Sequence, residues 1–311
     1  MRDVFGLAGF LGPRIVRALI AVWLVSTVVF VVMRLSGDPV PLLLPPDAPH
    51  SEIFRVRAEL GLDRPLPVQY ATFIGNVLRG DFGRSIHFRE PASRVVAGYL
   101  GATLELGLTA FLLAVVVAVP AGLLSAVRRN TLVDHTAMGV ALVGQSAPTF
   151  FIGILFILLL SLKADLFPTS GRGDWRHLVL PALTLGAFAM ASIARLTRSA
   201  VLEVLRADYV RTARAKGVSE WAVVVKHTLK NAALPIVTIT GLQFGTLLGG
   251  AVVTETVFAW PGIGRLAIQS VYNRDYPIVQ CVVFLLAMMF IVINFAIDLL
   301  YGLLDPRTRP R

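Results

Sequence analysis

The sequence predicts an all-α, polytopic membrane protein with about six transmembrane helices. Three observations lead there. Apolar residues make up 56% of the 311 positions and charged ones only 15%, too unbalanced for an ordinary soluble domain. The apolar residues fall in runs, and a run of roughly 20 residues crosses the hydrocarbon core. The charges gather between those runs, with lysine and arginine biased to one side. A sizeable extracytoplasmic element between the first two spans, and a cytoplasmic helical loop between the fourth and fifth, complete the expected architecture.

Residues 1–33 hold the N-terminal segment and first span, whose apolar run is 18–33 and reaches back to Ile15 if Arg17 snorkels. Its basic flank would also suit a secretory signal. No small-x-small cleavage site follows Met33, so it is read as a span. Residues 34–98 form the extracytoplasmic element, with eight arginines against seven acids. Its proline-rich start (Pro39, Pro41, Pro45, Pro46, Pro49) excludes regular structure there. Residues 52–61 and 69–78 read as short helices, and Gly80-Asp-Phe-Gly83 as a turn.

The core, 99–305, carries five more spans, and 306–311 is a cytoplasmic tail. The second span, 106–127, contains Pro120 as a kink. The third, 136–162, is uncharged and broken near its middle by Pro148. The fourth, 178–194, is rich in small residues (Ala182, Gly186, Ala187, Ala189, Ala191) that let helices approach closely in lipid. The fifth, 231–254, carries Gly241, Gly245, Gly249 and Gly250 in the same role, and the sixth is 276–297. The single cysteine, Cys281, lies in this last run, so no intrachain disulfide is possible.

Six spans put both termini on one side. With that side cytoplasmic, its segments (1–17, 128–135, 195–230, 302–311) hold sixteen basic and six acidic residues. This satisfies the positive-inside rule. The formal charge of +10 is then a topology signal and needs no nucleic acid.

Residues 201–231 are the polar exception among the spans. They read as two short helices joined at Gly217, which suits a left-handed C′ position, with Ser219 as N-cap of the second helix. Glu220 complements the dipole in that helix's first turn. Trp221, Val224, Val225, Thr228 and Ala232 form one face, with Lys226, His227 and Lys230 elsewhere. A DNA-reading helix-turn-helix shares this pattern, but both helices run straight into spans and have no free access to a groove. Catalytic motifs are absent: no G-x-x-x-x-G-K-[ST], H-E-x-x-H or G-x-S-x-G occurs, and the histidines lack metal-ligand spacing. Glu105, Glu255 and Asp298 lie near span ends, where snorkelling or interhelix pairing explains them. A proton-coupled carrier would place such acids nearer the midplane.

Several segments together carry a family resemblance. These are Asp208-Tyr-Val-Arg-Thr-Ala-Arg-Ala-Lys-Gly217 with His227, Lys230-Asn231 and Leu234-Pro235, then Gly250 to Arg265 through Glu255 and Trp260-Pro-Gly-Ile-Gly264. Arg274-Asp-Tyr-Pro277, Asp298-x-x-Tyr301 and Asp305-Pro-Arg307 follow. The chain resembles the permease subunits of ABC importers of the dipeptide, oligopeptide and nickel class. Gly37-Asp-Pro39 (after Ser36, where relatives often have Pro), Leu60 to Pro65 with Gln69-Tyr70, and Gly80 to Ser85 resemble the "B" type of subunit.

The resemblance implies a non-catalytic subunit of the bacterial inner membrane that forms half of a translocation path for di- or oligopeptides. Its implied partners are a homologous second permease, two ATPase subunits, an extracytoplasmic binding protein and the lipid bilayer. No cofactor is expected on this chain, since ATP and Mg would be held by the ATPases. The 201–231 stretch becomes the EAA loop, the coupling-helix loop that docks on an ATPase. Arg211, Ala213, Ala215, Lys216, Gly217, Ser219, Glu220 and Trp221 are its candidate contacts. Arg211-Thr212-Ala213 stands where the eponymous Glu-Ala-Ala would be. Asp81, Arg84, Trp260, Arg265 and Arg274 are candidate contacts for the binding protein. The alternatives are a nickel or other small-solute permease of the same branch and, more distantly, a secondary carrier.

Overall fold

The computed structural model describes residues 2–35, 40–45, 48–59 and 61–304, with side chains described between Ile15 and Ile297 except at Met33, Leu42, Leu43 and Leu248. In chain order the first helices are α1 (Arg2–Leu35), α2 (Val40–Leu43), α3 (His50–Glu59), α4 (Leu66–Leu78) and α5 (Ala92–Val127). Then come α6 (Leu132–Ser146), α7 (Thr149–Phe156), α8 (Trp175–Leu205), α9 (Asp208–Ala215) and α10 (Glu220–Ala222). The last are α11 (Lys230–Val257), α12 (Ile263–Tyr272) and α13 (Tyr276–Leu304). Two π-helical turns interrupt the series, Ile157–Lys163 after α7 and Val223–Leu229 between α10 and α11. The expected motifs at Gly37–Pro39 and Asp305–Arg307, and the side chains of Asp298 and Tyr301, lie outside the described residues.

Among the described residues four helices, α1, α5, α8 and α13, are each long and apolar enough to cross a bilayer, and the number rises to as many as six if each of two bent pairs is a single span. One pair is α6 with α7 and its π turn, bent by 113° at Pro148. Alone, α6 reaches about 22 Å at 1.5 Å per residue, short of a bilayer core of roughly 30 Å. The other pair bends by 54° between Leu247 and Gly249. The helix expected at 106–127 begins at Ala92, so the expected boundary at 98/99 falls inside α5. At about 54 Å, α5 is longer than the core it crosses.

The proline-rich start of the 34–98 element is not wholly irregular, contrary to expectation. Val40–Leu43 makes one helical turn that includes Pro41. Proline is tolerated in a first turn because its missing N–H would have no intrahelical partner there.

The chain divides into two compact units. One holds the described residues through Gly101 together with Gly262–Ile291. In it α1 grips α4 through Phe30, 5.2 Å from the Tyr70 ring and 5.6 Å from Phe73, and through a 2.6 Å hydroxyl contact between Thr27 and Tyr70. Ala92, Val96, Ile263, Leu266, Ile278 and Val282 form the unit's apolar core.

The second unit holds Ala102–Pro261 and the described residues from Val292. Its core is a row on α5 at four-residue spacing: Ala102, Leu106, Ala110, Ala114, Ala118, Gly122 and Ala126, all buried. Such a row is one ridge of a helix, and small side chains along it let another backbone come close. The facing helix is α8. A Cβ at Gly122 would lie 2.4 Å from the Ala194 carbonyl oxygen, and one at Gly186 would lie 3.0 Å from that of Ala110. The α8 half of this seam was legible as a run of small residues, and the α5 half emerges only when every fourth residue is read. In α11, Gly241 meets Ile297 at Cβ distances of 3.3 Å, whereas Gly249 has nothing within 4 Å. The start of α8 is capped by Asp174, which accepts from the Arg176 N–H at 3.2 Å. The His177 ring nitrogen 2.8 Å from Asp174 holds that carboxyl below the usual carboxylate range.

Candidate functional site

The loop from Arg206 to Lys230 is built as its residues direct. Ala207 is extended and breaks the helical path after α8, and α9 follows. Val210 and Ala213 face inward, joining Val223 in a small core lined by Val204, Leu205 and Val218. The first turn is steadied by Asp208, whose carbonyl accepts from the Thr212 hydroxyl at 2.9 Å and whose carboxylate lies 3.6 Å from Arg211.

Gly217 closes α9 at φ +78°, as its position predicts. The Gly217 N–H donates to the Arg214 carbonyl at 2.9 Å and the Val218 N–H to that of Ala213 at 3.2 Å. These two bonds are a Schellman motif. Across the turn Arg214 grips Glu220 with two hydrogen bonds of 2.8 and 3.1 Å, a pairing six residues apart that helical spacing does not predict. Ser219 stands at the N-cap position without a side-chain capping bond.

The second helix departs from the expected face. Val223, Val224, Thr228 and Ala232 are buried, while Trp221 is 76% exposed and Val225 is also exposed. The π turn is the reason. Its backbone advances in i→i+5 steps, and the Thr228 hydroxyl donates to the carbonyl five residues earlier, Val223, at 3.0 Å. That slip carries Trp221 off the packed stripe. Of the eight expected contacts, Arg211, Ala215, Lys216, Gly217, Ser219, Glu220 and Trp221 lie on the surface. Ala213 is buried and supports the loop from inside.

The same unit holds a polar centre that periodicity did not reveal. Asp134 is almost fully buried and accepts from Arg198 Nε and Nη2, both at 2.7 Å. It also accepts from the Ser125 hydroxyl and, at 2.9 Å, from the Asn130 N–H. Ser125, Asp134 and Arg198 come from α5, α6 and α8. The signal was an acid within a basic loop, followed by an arginine on the next long helix.

The extracytoplasmic candidates separate in kind. Asp81 and Arg84 are exposed on the turn after α4, where Gly80 and Gly83 take positive φ and Asp81 accepts from the Gly83 N–H at 2.9 Å. Arg274 is exposed and left-handed at φ +51°, and Arg265 is half-buried. Trp260 departs from the expectation: it is 1% exposed, and its indole N–H donates to the Ala102 carbonyl at 2.8 Å. It is a core residue, with Arg172 over its ring at 5.8 Å. Glu105 pairs with Arg172 at 2.6 Å, and Glu255 is fully buried and accepts from the Thr103 hydroxyl at 2.6 Å. Glu255 therefore meets its partner inside the unit instead of snorkelling. A buried pairing not foreseen is Asp275, which accepts from the Ser85 hydroxyl and, at 3.1 Å, from the His87 N–H.

Residues 118–310 match the family of binding-protein-dependent transport system inner membrane components, and residues 7–98 match that family's N-terminal component. The chain belongs to this family. It is a permease subunit of an ABC importer of the peptide and nickel class, as the sequence resemblance implied. Among curated relatives, the glutathione transport system permease protein GsiC of Escherichia coli (strain K12) is 45% identical over 297 residues, spanning 95% of this chain and 97% of that protein. The GsiC of Salmonella choleraesuis is 46% identical over 287 residues, with 92% and 94% covered. Among solved structures, a chain of the inward-facing MetNI methionine ABC transporter aligns with TM-score 0.57 and 21% identity, covering 68% of this chain and 96% of that one. A chain of an amino acid ABC transporter crystallised with histidines aligns with TM-score 0.55 and 16% identity, covering 67% and 93%.

The permease is a non-catalytic subunit, since its relatives leave ATP hydrolysis to partner ATPases. Permeases of this family work with a second permease, ATPase subunits and a binding protein.

Proposed function

We propose that this permease forms half of a translocation path for short peptides, and that its Arg206–Lys230 loop is the surface on which an ATPase subunit docks. The observation that carries the docking reading is the exposed Trp221. It stands on a loop held rigid by the Schellman closure, the Arg214–Glu220 grip and a small apolar core. Exposed tryptophans on ordered surfaces favour burial against a partner. Arg211, Lys216 and Ser219 are polar and exposed on the same loop. The charge bias puts this loop and both termini in the cytoplasm and the 34–98 element outside, where a binding protein would deliver cargo. A short-peptide cargo is supported by the 45%-identical relatives, which are glutathione transport permeases, glutathione being a tripeptide.

The mechanism follows from rigidity. ATP-driven closure of the ATPases would displace the docked loop, and the packed α9 and α10 would pass that displacement to α8 and α11 as rigid bodies. The test uses the assembled importer with its binding protein and measures uptake of labelled glutathione, dialanine and nickel together with ATPase rate. Trp221→Ala is expected to lower uptake at least tenfold. Gly217→Val forces a β-branched residue to φ +78° and is expected to uncouple hydrolysis from uptake. Uptake and stimulated hydrolysis unchanged in both variants would refute the docking surface, and uptake of nickel alone would refute the peptide cargo.

A further inference from the structure

The unit that carries α1–α4 contains a cavity of about 320 Å³. Its wall is formed by the loop after α3, one face of α4, the turn at Asp81–Arg84 and the start of α13. A volume in the few-hundred Å³ range suits a small solute.

The lining is cationic. Among the described residues Arg34, Arg64 and Arg84 line it together with one carboxylate, Asp81, which is already engaged by the Gly83 N–H. Among the described residues neither Arg64 nor Arg84 has an acid within ion-pair distance. The Arg64 side chain lies over Gly61, where a Cβ would sit 3.6 Å from its Cδ.

Gln69 supplies the opposite polarity. Its amide nitrogen donates to the Leu62 carbonyl at 3.2 Å and to the Arg64 carbonyl at 2.7 Å, which ties the arginine-bearing loop to α4. Both amide hydrogens are thereby committed, so the other amide atom must be the oxygen. That oxygen is buried and has no hydrogen-bond partner, although Gln69 lines the cavity. A buried acceptor left unpaired costs free energy that a ligand donor would recover. Phosphate or sulfate satisfies the arginines but brings little to donate. The C-terminal end of a peptide brings both, a carboxylate for guanidinium groups and an amide N–H for the glutamine oxygen.

We propose that this cavity is an extracytoplasmic binding site for the C-terminal end of a short peptide. Arg64 and Arg84 take the carboxylate, and Gln69 Oε1 accepts from the peptide N–H. The site rests on the reading above that this element faces outward and that the cargo is a short peptide.

The test is equilibrium binding of radiolabelled glutathione and dialanine to the complete importer in nanodiscs, without binding protein or ATP. Saturable binding is expected. It should weaken at least tenfold in Arg64→Gln and in Arg84→Gln, weaken similarly for the methyl esters of the same peptides, and be unchanged in Arg79→Gln, which lies off the cavity. Three results would overturn the site: no saturable binding by the wild type, binding only when binding protein is added, or equal affinity in the Arg64→Gln/Arg84→Gln double variant. Uptake measured in parallel with binding protein separates the two proposals. Peptide uptake without this binding removes the site and leaves the transport function, and binding without uptake does the reverse.

Discussion

Asp134 shows how much one side chain can organise. A carboxylate buried among transmembrane helices is costly unless its oxygens are fully used. Asp134 uses both, on a bidentate arginine, a hydroxyl and a backbone N–H, and so ties three helices at the level of the loop between α5 and α6. Asp134→Asn replaces an acceptor by a donor that faces those donors. The expected loss is about 3 kcal/mol, the lower end for a broken buried pair because the Arg198 side chain keeps 26% exposure. Thermal unfolding of the solubilised protein should show the midpoint falling by several degrees, with Arg129→Ala, exposed in the same loop, as control. An unchanged midpoint in Asp134→Asn would show the pair to be energetically neutral. The sequence placed Asp134 only within a short basic loop, because its partner Arg198 is 64 residues away and no local pattern joins them.

At the scale of elements, the α5–α8 seam decides how the second unit packs. Gly122 sits where the α8 backbone comes closest, and a Cβ there would also lie 2.7 Å from Thr197 Cβ. Neither neighbour is the flexible end of a side chain, so the helices must part. Gly122→Leu is expected to cost roughly 1–3 kcal/mol or more, the range for overpacking a filled core. Gly249→Ala, with open space around it, should cost less than the helix-propensity gain of up to about 1 kcal/mol and leave folding intact. Comparing the two in the same thermal assay and in membrane yield checks the seam, and equal tolerance of both substitutions would refute it. The π turn after α10 is the second lesson at this scale. A 3.6-residue reading put Trp221 on the packed face, and an i→i+5 slip moved it off.

For the whole molecule, charge by side is the strongest statement the chain makes. The net excess of basic residues falls in the short segments assigned to the cytoplasm, and the long 34–98 element is nearly balanced. Cysteine accessibility tests the topology, starting from Cys281→Ser to remove the single native thiol. In spheroplasts an impermeant maleimide should label Arg79→Cys and Arg274→Cys, all exposed positions outside the spans, and spare Arg129→Cys and Arg214→Cys until the membrane is permeabilised. The reverse pattern would invert the molecule and with it both the docking and the delivery surfaces.

The helical class, the membrane-spanning character, the helix breaks at Pro148 and Gly217 and the family were legible from residues alone. Each depends on local chemistry or composition: apolar length, a missing N–H, a left-handed backbone, a linear motif. Tertiary structure decided the rest. It brought Asp134 to Arg198 and Asp275 to Ser85, buried Trp260 and Ala213, and exposed Trp221. These outcomes turn on which helices meet and at what register. Pairings between residues far apart in the chain leave no periodic trace, and a single π turn is enough to rotate a face that a regular helix would have buried.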